Sequence, residues 1–252
     1  MLLCLSVLAS VVSSFAYEVH HDSSGSWVKF QSAELAEKRL FVYDSDLRTV
    51  RDTVTSIARE QGPPLVVLNA SYFWKGKPVT YTRSSLRQTQ GGVLKDPPAR
   101  ACFVWSSKVP AATILQGDST MIPFLLGSPD LEVACAGPRL IAGGKLVFEE
   151  AYCKELFNPA CRDDHWDPGL SYAALVPRSG ICTTVDHDLI LFAVSAASIS
   201  GFAEFMAKQG CTDAMNLDGG GSTQLFVRGA SPGQDIWREG EKRKVPVWLV
   251  LQ

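Results

Sequence analysis

Apolar runs of strand length, set apart by glycine, proline and polar turn residues, recur along the whole chain. The pattern predicts strands at Arg39–Tyr43, Leu65–Asn69, Ala101–Trp105, Ala111–Leu115, Lys145–Phe148, Ser171–Val176, Leu189–Ser195, Leu225–Val227 and Val245–Leu251. Helical spacing stands out in two places. Asp46–Glu60 opens on an acidic cap candidate and puts Leu47, Val50, Val54, Ile57 and Ala58 on one face. Ser200–Gln209 starts on a serine cap, aligns Phe202, Phe205 and Met206, and stops at Gly210. Each helix leads into a buried-looking strand that ends in polar residues. The first runs Leu65-Val66-Val67-Leu68-Asn69-Ala70-Ser71, the second Asp213-Ala214-Met215-Asn216-Leu217-Asp218. Strand ends on a rigid scaffold are the usual place for a site. Ala151–Gly169 is polar, with Asn-Pro and Asp-Pro turns, and reads as a long loop or lid. Strands outnumber helices and most connections are short. The predicted fold is therefore α+β, a single domain of mixed or antiparallel sheets flanked by a few helices.

The amino terminus changes where this domain is expected to work. Met1–Ala16 is apolar and uncharged, and it ends with the small residues Ser14 and Ala16 placed as in a signal-peptidase site. It is too short to span a bilayer. Residues 1–16 read as a signal peptide and residues 17–252 as the mature domain, secreted or periplasmic, of about 235 residues around one core. Cys4 leaves with the leader. Cys102, Cys135, Cys153, Cys161, Cys182 and Cys211 remain, an even set that points to disulfides of open connectivity. The rival reading is zinc held by Cys153, Cys161 and His165, which lacks the support of a CxxC pair. A net charge of −2 leaves no electrostatic footprint for nucleic acid or an anionic membrane. The basic cluster Lys242-Arg243-Lys244 sits beside Glu239 and Glu241 and reads as a solvated turn.

The sharpest chemical signal is Asp218-Gly219-Gly220-Gly221-Ser222-Thr223. Consecutive glycines cost backbone entropy, and turning the chain needs fewer of them. Such a turn can aim successive N–H groups into a concavity that binds phosphate or another oxyanion, with Ser222 and Thr223 adding hydroxyls. Asp218 beside it would be a general base, a nucleophile or a metal ligand. The bland alternative is a tight structural turn capped by Asp218. A nucleotide-binding P-loop is excluded, because no lysine follows the glycines. Asp163-Asp164-His165-Trp166-Asp167 gathers acid, imidazole and aromatic in the expected lid. That mix suits a sugar or a metal, although a lone loop histidine is more often solvated.

Asn216-Leu217-Asp218-Gly219-Gly220-Gly221-Ser222-Thr223, followed by Gln224-Leu225-Phe226-Val227, closely resembles the signature of the phosphodiester glycosidase family. Asn69-Ala70-Ser71-Tyr72-Phe73 is similar to its Asn-x-x-Phe-Phe element. Ala136-Gly137-Pro138-Arg139-Leu140, followed by Gly143-Gly144-Lys145, is similar to its Gly-Pro-x-Leu turn. The matches occur in family order and cover roughly Asp46 to Leu251. The resemblance implies an exported hydrolase cleaving a sugar-1-phosphodiester or a related glycan linkage. Asp218 and Asn69 are then the catalytic candidates. Asn216, Gly219, Gly220, Gly221, Ser222, Thr223 and Arg139 would bind substrate or phosphate, and Asp164, His165 and Trp166 belong to the lid. The implied partner is a carbohydrate or sugar phosphate, with no nucleic acid, no membrane insertion once the leader is gone, and no cofactor. Two elements depart from the family. Its Arg-Thr-Ala-x-Gly strand is expected where this chain reads Gly169-Leu170-Ser171-Tyr172-Ala173-Ala174-Leu175, and its Asp-Gly-Arg where it reads Val194-Ser195-Ala196-Ala197-Ser198. Arg139, Arg178, Arg83 and Arg87 are the candidates to replace the missing charge. Two rival functions follow: a carbohydrate- or phosphate-binding module without catalytic charges, and a phosphodiesterase using a divalent metal at Asp218.

Overall fold

The computed structural model describes residues 17–86, 89–91, 100–155 and 173–252. The expected leader, the lid residues Asp164, His165 and Trp166, and Cys161 and Arg87 lie outside these residues. Three sheets carry the fold. The seven-stranded sheet runs in the order Tyr17–His21, Gly25–Phe30, Leu189–Ala197, Val176–Thr184, Cys211–Asn216, Arg139–Ala142, Lys145–Leu146. One five-stranded sheet runs Ile236–Arg238, Leu225–Val227, Val66–Asn69, Val245–Leu251, Leu40–Arg48. The other runs Ala111–Gly117, Arg100–Ser106, Leu131–Cys135, Thr82–Ser84, Thr89–Gly91. Every pairing among the described residues is antiparallel, and the fold is α+β.

The inner faces of all three sheets meet in one core, and each outer face is covered by helix. Alternation along single strands shows this. Leu189, Leu191 and Ala193 point to the shared core, while Ile190, Phe192 and Val194 pack under the helices Phe148–Glu155 and Ile199–Lys208. Val66 and Leu68 likewise join the shared core, whereas Val67 meets Val50 and Ile57 of the helix Val50–Glu60. Burial on both faces is why these strands read as continuous apolar runs. Cys102–Cys135 and Cys182–Cys211 are disulfides, each stapling neighbouring strands. No helix among the described residues is long and apolar enough to cross a membrane.

Several boundaries differ from the sequence expectation. The first helix starts at Val50, because Thr49 and Asp52 form a reciprocal capping box and Asp46 still belongs to a strand. Ser198, not Ser200, caps the second, accepting from the Gly201 N–H. Lys145–Phe148 splits into a short strand and the start of a helix that takes in Ala151 to Glu155 of the expected loop. His187 lies in the turn between the strands Val176–Thr184 and Leu189–Ala197, at φ 63°.

Candidate active site at the glycine turn

The two helix–strand units meet where their strands end. The strand Val66–Asn69 ends in Asn69, whose side chain is fully buried. Its Nδ2 donates to the Asp218 carbonyl at 2.6 Å, and its Oδ1 accepts from Ser179 Oγ at 2.7 Å and the Gln224 N–H at 2.9 Å. The Asp218 N–H donates to the Ala70 carbonyl at 2.8 Å, and the Leu217 N–H to the Ser179 carbonyl at 2.8 Å. Asn69 thus bolts its own strand to both ends of the glycine turn. Asn69, a catalytic candidate from sequence, is buried with both side-chain polar atoms engaged by the protein.

Each glycine answers a different constraint. A Cβ on Gly219 would lie 2.9 Å from the Pro177 carbonyl oxygen and 3.8 Å from Cδ of Arg178. Gly220 has φ +57°, and nothing lies within 4 Å of its Cβ position. A Cβ on Gly221 would overlap the Glu241 carboxylate. The first and third glycines are hemmed in and the middle one is open. Gly220–Ser222 forms a single 3-10 turn, in which the Ser222 and Thr223 N–H groups donate to the Gly219 and Gly220 carbonyls, both at 3.1 Å. Those two amides therefore serve the turn itself. The nest expected from sequence thus cannot draw on these two amides.

Asp218 stands at the head of this turn, 9% exposed. Burial pushes its carboxyl up to about 7, against the opposing influence of the Ser222 hydroxyl, Arg243 and the Gly219 N–H. Asn216, at the end of its strand, sends Nδ2 to the Leu217 carbonyl at 2.6 Å and to Tyr72 Oη at 3.0 Å. Tyr72 donates to the Gly137 carbonyl at 2.7 Å. Burial, and next the Asp218 charge, raise the Tyr72 phenol, while Arg100 and Arg178 oppose them. The Gly137-Pro138 element therefore meets the glycine motif through Tyr72 and Asn216. Asn216 Oδ1 and Thr223 Oγ1 belong to the buried side-chain atoms that have no hydrogen-bond partner among the described residues, which leaves them acceptor capacity beside the turn.

The arginines sort clearly. Arg178 lies against Gly219, with its guanidinium held by the Ala197 carbonyl at 3.0 Å and the Ala174 carbonyl at 3.1 Å. Its strand starts at Val176, directly after the segment Gly169–Leu175 in which the family's arginine is expected. Arg178 thus brings a buried arginine stem beside the turn. Arg139, expected to bind phosphate, instead pairs with Asp213 and donates to the Ile114 carbonyl at 3.3 Å. Arg83 donates to the Leu126 carbonyl. Arg243, read from sequence as part of a solvated turn, is exposed, lies 5.0 Å over the Phe73 ring and favours the charged form of Asp218. Among the described residues no three His, Cys, Asp or Glu side chains gather in a metal-binding group.

A buried carboxyl, a glycine turn with one open face and an adjacent arginine therefore come together at one place in the fold. The chain belongs to the phosphodiester glycosidase family, whose model matches residues 52–252. No curated protein matches it. The catalytic domain of zebrafish N-acetylglucosamine-1-phosphodiester alpha-N-acetylglucosaminidase, auto-inhibited by its pro-peptide, shares the fold with a TM-score of 0.67 at 17% identity, over 96% of this chain and 85% of that one. A protein of Burkholderia pseudomallei described as exported gives 0.60 at 13% identity, over 95% and 75%. A hypothetical protein from Synechocystis gives 0.55 at 15% identity, over 93% and 61%. At these identities the likeness is one of fold.

Proposed function

We propose that this protein is an exported hydrolase that cleaves a sugar-1-phosphodiester or a related glycan linkage, with the phosphate seated at the turn Asp218–Thr223. The observation that carries the reading is the buried Asp218 carboxyl, raised to about 7, beside the open face of Gly220. Expelling a phosphate monoester needs little help from a general acid, since phosphate is already a good leaving group. The demands are charge stabilisation on the departing phosphate and a carboxylate for the oxocarbenium-like carbon. Gly220, Thr223 and the neighbouring Arg178 answer the first, and ionised Asp218 answers the second. Export is supported by the apolar leader Met1–Ala16 and by disulfides suited to an oxidising compartment.

Release of sugar from a chromogenic N-acetylhexosamine-1-phosphodiester is the direct test. We expect kcat/KM to rise with pH through about 7 as Asp218 ionises, and turnover to survive a chelator. Asp218→Asn should abolish turnover while keeping phosphate affinity. Gly220→Val should destroy both, because a β-branched side chain cannot take that backbone conformation or leave the face open. Binding of sugar phosphate without turnover at any pH would make the chain a binding module. Loss of activity on chelation would move the chemistry to a metal-dependent phosphodiesterase.

A further inference from the structure

The third glycine of the motif is explained by a residue from far along the chain. Glu241 sits on the segment Glu239–Lys244, which crosses the glycine turn as a strap, and its carboxylate occupies the space a Gly221 side chain would need. The strap is fixed at several points. Gln224 Nε2 donates to the Arg243 carbonyl at 2.6 Å, while Gln224 Oε1 accepts from the Val50 N–H at 3.0 Å, at the start of the first helix. Arg51 of that helix pairs with Glu239 and lies 4.2 Å over the Trp237 ring. Gly240 and Lys242 take left-handed backbone, φ 52° and 56°, and the Lys242 N–H closes on the Glu239 carbonyl at 2.8 Å. Gly240 passes so close to the Thr223 carbonyl that a Cβ would collide with it. The backbone around this carboxylate is thus clamped against the turn, while Glu241 itself remains exposed to water.

We propose that Glu241 is the second carboxylate of this site and takes the proton from the attacking water. The inference deepens the hydrolase reading above and rests on it. In the step, the bond from the sugar C1 to the phosphate oxygen breaks and its electron pair stays on that oxygen. The water oxygen bonds to C1, and the water proton passes to Glu241 and from there to solvent. The environments of the two carboxyls are unequal, as a division of labour requires. Asp218 is buried at the head of the turn and suited to facing a developing cation. Glu241 is water-accessible at its far side and suited to handling a proton. Ligand bound over Gly220 would lie between the Arg178 side of the turn and the Glu241 side.

The test compares Glu241→Gln, Glu241→Ala and Gly221→Ala with wild type and Asp218→Asn on the same chromogenic sugar-1-phosphodiester. Removing a general base should lower kcat about a thousandfold with KM little changed, and added formate or azide should restore turnover to Glu241→Ala only. A methyl at Gly221 meets the far end of a flexible side chain, so Gly221→Ala should fold and displace Glu241. The Gly221→Ala, Glu241→Gln double variant should then be no slower than Glu241→Gln alone, since both act on one group. An inactive Asp218→Asn beside a Glu241→Gln variant within threefold of wild type would overturn this inference and leave the hydrolase reading standing. Additive losses in the double variant would also overturn it. A wild type that releases no sugar would overturn both.

Discussion

The two helix–strand units that deliver Asn69 and Asp218 look alike in sequence and do opposite work. In the first, the helix Val50–Glu60 precedes a strand whose terminal Asn69 is fully buried, with its bonds made to protein. In the second, the helix Ile199–Lys208 precedes a strand that opens into the turn, with an acid whose charge burial disfavours and with hydrogen-bonding atoms left over. Asn69 is satisfied and acts as a clamp, whereas the head of the turn keeps a carboxyl at odds with its surroundings and polar atoms without partners. A polar residue at a strand end is a candidate for function, but its unused hydrogen-bonding capacity decides whether it meets a ligand. The departure from local optimum at Asp218 is sustained by the satisfaction at Asn69, which fixes the turn from both ends.

The comparison breaks most directly at the clamp. Asn69→Ala strands the Asp218 carbonyl, Ser179 Oγ and the Gln224 N–H in a buried seam. It should cost about 4 kcal/mol of stability, measured by denaturant unfolding. A loss under about 1 kcal/mol would mean the seam is wet and Asn69 is no clamp.

The chemical unit should show the reverse sign. Burial raises the Asp218 carboxyl from 3.8 to about 7, so the fold favours the protonated form. The stability this contributes is complete below pH 3.8 and is lost as pH rises through about 7. Above that range the wild type bears a penalty on the order of 4 kcal/mol that Asp218→Asn escapes. The variant should melt higher than wild type at about pH 8.5, with the gap closing near pH 4. Identical melting curves at both pH values would show a solvated carboxyl and remove the contrast.

The smallest effect sharpens the assignment of the anion-binding charge. Arg139 and Asp213 form a partly exposed pair, so Arg139→Gln should cost under about 1 kcal/mol and leave phosphate affinity unchanged. Arg178→Gln should weaken inorganic phosphate binding about tenfold in calorimetry. Equal phosphate affinities in the two variants would detach Arg178 from the turn.

Much of the molecule was already written along the chain. Runs such as Leu189–Val194 and Val245–Leu251 declare strands buried on both faces, because alternate side chains enter different cores and each must be apolar. The glycine motif named its own position, because close approach and positive φ exclude other residues there. Sequence therefore determined the α+β class, the family and the head of the site. Tertiary structure alone decided which polar residues are used up. Asn69 and Asp218 differ only in what surrounds them. Arg178 and Arg139 are interchangeable on paper, yet one strand carries its arginine to Gly219 and the other pairs its arginine with Asp213. Glu241 gave no signal, since its bearing on Gly221 depends on a strap folded across the turn by Gln224 and Arg51. Periodicity reports how each residue meets its own element, while desolvation and hydrogen-bond saturation arise only when distant elements close around it.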